Sequence, residues 1–128
     1  MVPLCLVVAA ALVQDGRVLA ARRSAPAAVA GGWEFPGGKV EAGESLPAAL
    51  ARECREELGV IVEPLRQIAA AQDADIDLRL WVARLVVGVP TALEDHDELR
   101  WLSAAELDTV SWLPIDRALL SAVVTLLE

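Results

Sequence analysis

Runs of lysine or arginine are missing from this sequence: its 11 basic residues are scattered among 19 acidic ones, giving a formal net charge of −8. With no basic stripe to neutralise a phosphate backbone, the chain is not expected to bind nucleic-acid polymers. A small phosphorylated ligand stays open, because metal ions can supply positive charge locally. Cysteine is scarce. Cys5 and Cys54 sit in apolar patterns without metal-ligand spacing, so they read as small core residues of a reduced compartment, with a Cys5–Cys54 disulfide as the minor alternative. The single histidine, His96, reads as a loop residue in preference to a base or ligand. Apolar runs are too short to cross a bilayer, so no membrane association is expected. The opening "MVPLCLVVAAALVQDGRVLAARR" has no positively charged start and reads as strand, turn, strand, which argues against secretion and for a cytoplasmic protein. Repeats and low-complexity linkers are absent too, and 128 residues suit one domain over 1–128.

What is present points to a mixed sheet covered by helices. Strands are expected over 3–13 and 17–22, joined at Asp15-Gly16, followed by a loop over 24–38 broken by "WEFPGG". A helix is expected over 46–58, with Ser45 as N-cap, Pro47 tolerated in the first turn and Gly59 as the stop. Residues 60–71 and 76–87 are strand-like. In the second, Ile76, Leu78, Leu80 and Val82 alternate with Asp75, Asp77, Arg79 and Trp81, the period of a half-buried strand. "DELRWLS" reads as a short strand, "SAAELDTV" as a helical turn and "DRALLSAVVTLLE" as a final amphipathic helix.

The helix over 46–58 raises an electrostatic question. At about 100° per residue, Pro47, Leu50, Ala51, Cys54 and Leu58 share one side, which should pack on the sheet. Glu53, Glu56 and Glu57 gather on a neighbouring face, because positions three and four apart are adjacent. Like charges so placed destabilise a helix, and a solvated acidic face is the bland reading. The flanking Gly-Gly turn and Glu44 shift the balance towards a divalent cation, since clustered hard oxygens suit Mg²⁺ or Mn²⁺.

The segment resembles the signature of the Nudix hydrolases, G-x5-E-x7-R-E-U-x-E-E-x-G-U, where U is bulky and apolar. Gly38, Glu44, Arg52, Glu53, Glu56, Glu57, Gly59 and Val60 occupy its defined positions, with Cys54 a smaller residue at the first apolar one. The resemblance implies an α/β fold, a Nudix-type α/β/α sandwich with a mixed sheet between helices. It also implies hydrolysis of a nucleoside diphosphate linked to another moiety, with one to three divalent ions. By matching positions, Glu53, Glu56 and Glu57 hold metal and the Gly37 carbonyl is a further ligand. Arg52 orients the glutamates, and Glu44 fixes the loop or a metal-bound water. Glu53 is the first choice for general base; Glu98, placed by the resemblance as a carboxylate facing the metals, is the second, against the reading of an ordinary exposed acid.

Outside that window the chain resembles MutT-type nucleoside triphosphate pyrophosphohydrolases, some acting on oxidised guanine nucleotides and some on cytidine nucleotides. "LAARRS" places Arg23 at phosphate or base, "WEFPGGK" places Phe35 at the pocket and Lys39 near phosphate, and "WLPIDRALL" puts Asp116 at the base edge. Each has a plain alternative: a surface arginine, a core phenylalanine, a helix-capping aspartate. Read as ionised, Asp116 would accept from an exocyclic amine. On "DADIDLRLW" the chain departs from relatives that offer an arginine to the nucleotide, with Arg79 in a different register. The expected partner is a small nucleotide, the expected assembly a monomer or homodimer. The alternatives are another nucleoside diphosphate derivative (ADP-ribose, a dinucleoside polyphosphate) or a nucleotide-binding module without turnover, whose usual sign, a lost signature glutamate, is not present.

Overall fold

The computed structural model describes residues 3–128. The chain opens with a hairpin of β1 (Cys5–Gln14) and β2 (Arg17–Arg23). Asp15 and Gly16 turn it with φ of 52° and 73°, the left-handed pair whose twist suits a two-residue hairpin. Two short strands follow, β3 (Trp33–Glu34) and β4 (Gly37–Lys39), then α1 (Leu46–Leu58). The long hairpin of β5 (Ile61–Gln72) and β6 (Ile76–Val87) comes next, then β7 (His96–Leu102) and a 3-10 turn over Ala104–Thr109. The chain closes with α2 (Pro114–Arg117) and α3 (Leu120–Leu127). Among the described residues no helix is long and apolar enough to cross a membrane.

The seven-stranded sheet runs β3-β2-β1-β6-β5, with β4 also paired to β1 and β7 to β2. β1 and β6 are parallel; the other named strand pairs are antiparallel. One edge of β1 is divided. β4 takes Val7–Ala9, and β2 takes only Val13 and Gln14. Beyond the turn, β1 and β2 therefore diverge like a fork, and the chain crosses between the tines at Phe35-Pro36 on its way from β3 to β4.

Alternation along β1 separates two cores. Val8, Ala10 and Leu12 pack with Leu50, Cys54 and Leu58 of α1. Ala9 and Ala11 face the other way, into a cluster with Phe35, Leu80, Trp112, Leu119 and Val123. The result is the expected α/β/α arrangement, with α1 on one face of a mixed sheet and α2 and α3 on the other. Both cysteines are free and Cys54 is buried, the reduced alternative of the two considered.

The cap readings of α1 match the structure: Ser45 Oγ accepts from the Ala48 N–H at 3.2 Å, and Gly59, left-handed at φ 69°, donates to the Arg55 carbonyl. Three expectations need correction. The loop over 24–38 contains β3 and the start of β4, which are too short to carry a periodic signal and exist through main-chain pairing with β2 and β1. β7 begins one residue early, at His96, which is buried instead of lying in a loop. The final helix is two pieces, starting at Pro114, whose missing N–H costs nothing in a first turn. It breaks where the Leu119 N–H bonds back to Asp116 in a tighter turn.

Candidate active site

α1 presents its three acids at graded depths. The Glu56 side chain is 45 % exposed, that of Glu53 13 % and that of Glu57 only 7 %. Burial raises the pKa of Glu53, against the opposing hydrogen bond and charge of Arg52. Burial pushes Glu57 up to about 8, although a charged His96 opposes it. Two deep carboxyls that resist ionisation in water-poor surroundings call for added positive charge.

Part of that charge comes from Arg52. Its Nε and Nη2 grip both oxygens of Glu44 at 2.8 and 2.9 Å, while Nη1 reaches Glu53 at 2.9 Å and Glu56 at 3.3 Å. Nη2 also donates to the Lys39 carbonyl, so one guanidinium ties α1 to β4. The fork grip holds Glu44 at about 2, the hydrogen bond from Arg52 being the main cause. The diglycine of β4 supplies room. A Cβ on Gly38 would collide with the Glu53 carboxylate, and one on Gly37 with the Val8 carbonyl of β1. The Gly37 N–H donates to Glu57 Oε1 at 2.8 Å.

Across the same diglycine strand lies a cavity of about 560 Å³ in the fork of the sheet. Its apolar wall includes Ala9 of β1 and Ile76 and Leu78 of β6, and Arg23, Glu34, Phe35, Lys39 and Asp116 line it as well. Arg23 is held from behind: Nε and Nη2 donate to the Ala25 carbonyl, and Nη1 to Glu34 at 3.3 Å. Phe35 stacks on Trp112 with centroids 4.7 Å apart. The chain at Ser111–Leu113 bonds to both sides of Trp33, which brings α2 under β3. Asp116 thereby accepts the Phe35 N–H at 3.0 Å. Burial raises the Asp116 carboxyl to about 8, well above the usual carboxylate range. That favours the neutral acid over the ionised reading, and the residue lies within α2 instead of capping the last helix.

Thus the four residues read as substrate contacts, Arg23, Phe35, Lys39 and Asp116, line one cavity, while Glu44, Arg52, Glu53, Glu56, Glu57 and Gly37 meet on its flank. Glu98 is not brought to them. It stands opposite Arg22 in the β2–β7 ladder, bonded to Arg22 at 3.2 Å and to Arg100 at 2.7 Å. The acid of that region whose charge acts on Glu53 is Glu94. Arg79 pairs with Asp77 at 2.8 Å, so apolar Leu78 takes the β6 position at the cavity.

Sequence reasoning missed Glu34 and His96. The His96 side chain is fully buried, with Nε2 2.8 Å from Glu34 Oε2 and Nδ1 3.5 Å from Glu57 Oε2. Burial lowers its pKa, but the bond to Glu34 and the charges of Glu57 and Glu34 outweigh that and leave it raised. The available signal was a lone histidine following two acids. Glu34, Glu57 and His96 place ligand atoms within 4.8 Å of one another. The two imidazole nitrogens face different carboxylates, however, which is the geometry of a bridge and not of a chelate. Glu53, Glu56 and Glu57 supply only carboxylate oxygens, the donor type that hard divalent cations take, but the ligand atoms that converge within 4.8 Å are those of Glu34, Glu57 and His96.

Residues 4–125 match the NUDIX domain model. A Mycobacterium tuberculosis protein with the provisional name 8-oxo-dGTP diphosphatase 2 is 46 % identical over 117 residues, covering 88 % of this chain and 82 % of that protein. The CTP pyrophosphohydrolase of Escherichia coli is 40 % identical over 124 residues, with 94 % and 91 % covered. The solution structure of the E. coli ORF135 protein superposes with a TM-score of 0.79 at 36 % identity, over 96 % of this chain and 90 % of that one.

Proposed function

This chain belongs to the NUDIX domain family, and from that premise we propose that it is a cytoplasmic pyrophosphohydrolase converting a (deoxy)nucleoside triphosphate, 8-oxo-dGTP-like or a cytidine nucleotide, to the monophosphate and pyrophosphate with Mg²⁺ or Mn²⁺. One observation carries the reading: the acid cluster of α1 and the cavity with Arg23, Lys39 and Asp116 flank the same diglycine strand. A nucleotide with its base in the cavity would extend its phosphates along Lys39 towards Glu53. The volume of about 560 Å³ is of the size that encloses a small ligand.

In this scheme Glu53, Glu56 and Glu57, with the Gly37 carbonyl, would hold divalent ions, which when bound would supply positive charge for the polyphosphate and lower the pKa of a bound water. Glu53 takes the proton of the attacking water. Its half-buried carboxylate, raised in pKa and steadied by Arg52, suits a base better than Glu98, which is engaged by two arginines. Arg52 sets the spacing of the glutamates, and Glu44 anchors Arg52. Arg23 and Lys39 meet phosphate, and Phe35 supports the base. A protonated Asp116 offers both a donor and an acceptor to the base edge. Cytosine, through N3 and its N4 amine, can satisfy that pair. So can 8-oxoguanine through N7–H and O6, whereas the same edge of unmodified guanine presents two acceptors.

The test is a panel of triphosphates, nucleotide sugars and dinucleotides incubated with Mg²⁺, with products identified. Release of monophosphate and pyrophosphate from a triphosphate is expected; orthophosphate as the sole inorganic product would contradict the assignment. Glu53→Gln should cut kcat by about 10²–10⁴-fold. Glu98→Gln should leave it within about threefold, and the reverse order would move the base to Glu98.

A further inference from the structure

We propose that His96 and Glu34 are positioning residues that hold Glu57 ready for a divalent ion, with Glu34 acting through His96. The inference rests on reading the α1 cluster as the ion site, and it concerns how that site is aimed from the cavity side.

Glu57 is fastened at one oxygen only, by the Gly37 N–H on Oε1. Its other oxygen, Oε2, faces His96 Nδ1 across 3.5 Å, longer than a firm hydrogen bond. Nδ1 is buried and has no hydrogen-bond partner among the described residues. Orphaned polar atoms inside a protein are costly, and this one has a carboxylate oxygen directly in front of it. A small rotation of Glu57 closes the gap and fixes both of its oxygens. The imidazole cannot move to meet it, because Nε2 is pinned at 2.8 Å to Glu34 Oε2. Glu34 is pinned in turn by Arg23 Nη1 on that same oxygen. A line of contacts therefore runs Arg23, Glu34, His96, Glu57, from a residue lining the cavity to the deepest acid of α1.

Such an arrangement matches how carboxylates and histidines behind a metal ligand set its orientation, where loss of the supporting group lowers metal affinity by about 10–100-fold. His96 serves here as the rigid spacer. Among the described residues Glu57 Oε2 has no other ion-pair or hydrogen-bond partner, so the orientation of that oxygen depends on His96.

The experiment is Mn²⁺ binding read from the electron paramagnetic resonance of the free hydrated ion, without substrate, so that turnover plays no part. Wild-type, Glu34→Gln, His96→Gln and the double variant are compared, with thermal unfolding to confirm folding. Each single variant should weaken Mn²⁺ binding by about tenfold. The double variant should weaken it no further, because Glu34 works through His96. With saturating Mn²⁺ and nucleotide, kcat should recover to within about threefold. Unchanged Mn²⁺ affinity in Glu34→Gln would overturn the proposal, and this variant alone decides it if His96→Gln fails to fold. Losses that add in the double variant would overturn it too, since they would mean independent ligation. The underlying reading fails differently: Glu53→Gln and Glu56→Gln would then bind Mn²⁺ as wild type does.

Discussion

At the residue scale, the informative contrast is between two neighbouring glycines. A side chain at Gly38 meets the Glu53 carboxylate, the movable end of a flexible residue, whereas one at Gly37 meets the backbone of Val8 in β1. Gly38→Ala should therefore leave the fold intact and displace Glu53, lowering kcat by roughly tenfold or more through misplacement of a catalytic group. Gly37→Ala should instead prise β4 from β1 and lower Tm. Paired kcat and unfolding measurements check this; a Gly38→Ala enzyme with wild-type kcat would show that Glu53 has no fixed place in the reaction. The signature spacing made Glu53, Glu56 and Glu57 legible, but not their unequal depths. Those depend on the β4 backbone and on His96, which approach from segments far away in sequence.

At the element scale, α2 is short and is held by the main-chain bonds on both sides of Trp33 and by one buried side chain. Asp116 holds it to the Phe35 N–H, and burial raises that carboxyl to about 8 from a usual value of 3.8. The sign follows from linkage. The folded state keeps a proton that the unfolded chain releases near pH 4, so this contribution to stability is full below about pH 4 and fades as pH rises to about 8. Asp116→Asn keeps the acceptor for Phe35 and cannot ionise. It should flatten the fall of Tm between pH 5 and 9 by several degrees relative to wild type. Some fall should persist, because Glu57 is raised to about 8 by burial as well. Parallel Tm profiles for the two proteins would show that Asp116 ionises freely in place. Elements whose signal is periodic were legible, β6 down to its boundaries at Ile76 and Val87. β3 and β4 were not, because two or three residues have no period and their pairing is a property of the fork.

At the scale of the whole molecule, acidity and architecture act together. A net charge of −8 disfavours the compact state through self-repulsion, most strongly where α1 concentrates its acids. The sheet diverges at that place, so the cluster meets backbone glycines instead of a close-packed strand. A mixed sheet covered by helices was legible from interspersed strands and helices, and the α/β/α layering from the family resemblance, but the fork was not, since it requires knowing that β2 and β4 share one edge of β1. If the acids are an ion site, Mg²⁺ should stabilise the fold by occupying them. An ion at a hundredfold its Kd adds about 2.7 kcal/mol, or roughly 8 °C in a domain of this size. The double variant Glu53→Gln/Glu56→Gln, relieved of two crowded charges, should match or exceed wild-type Tm in chelator and gain almost nothing from Mg²⁺. General screening predicts otherwise: NaCl at equal ionic strength would raise both proteins alike, and an Mg²⁺ response of equal size in both would reduce the cluster to an ordinary acidic surface.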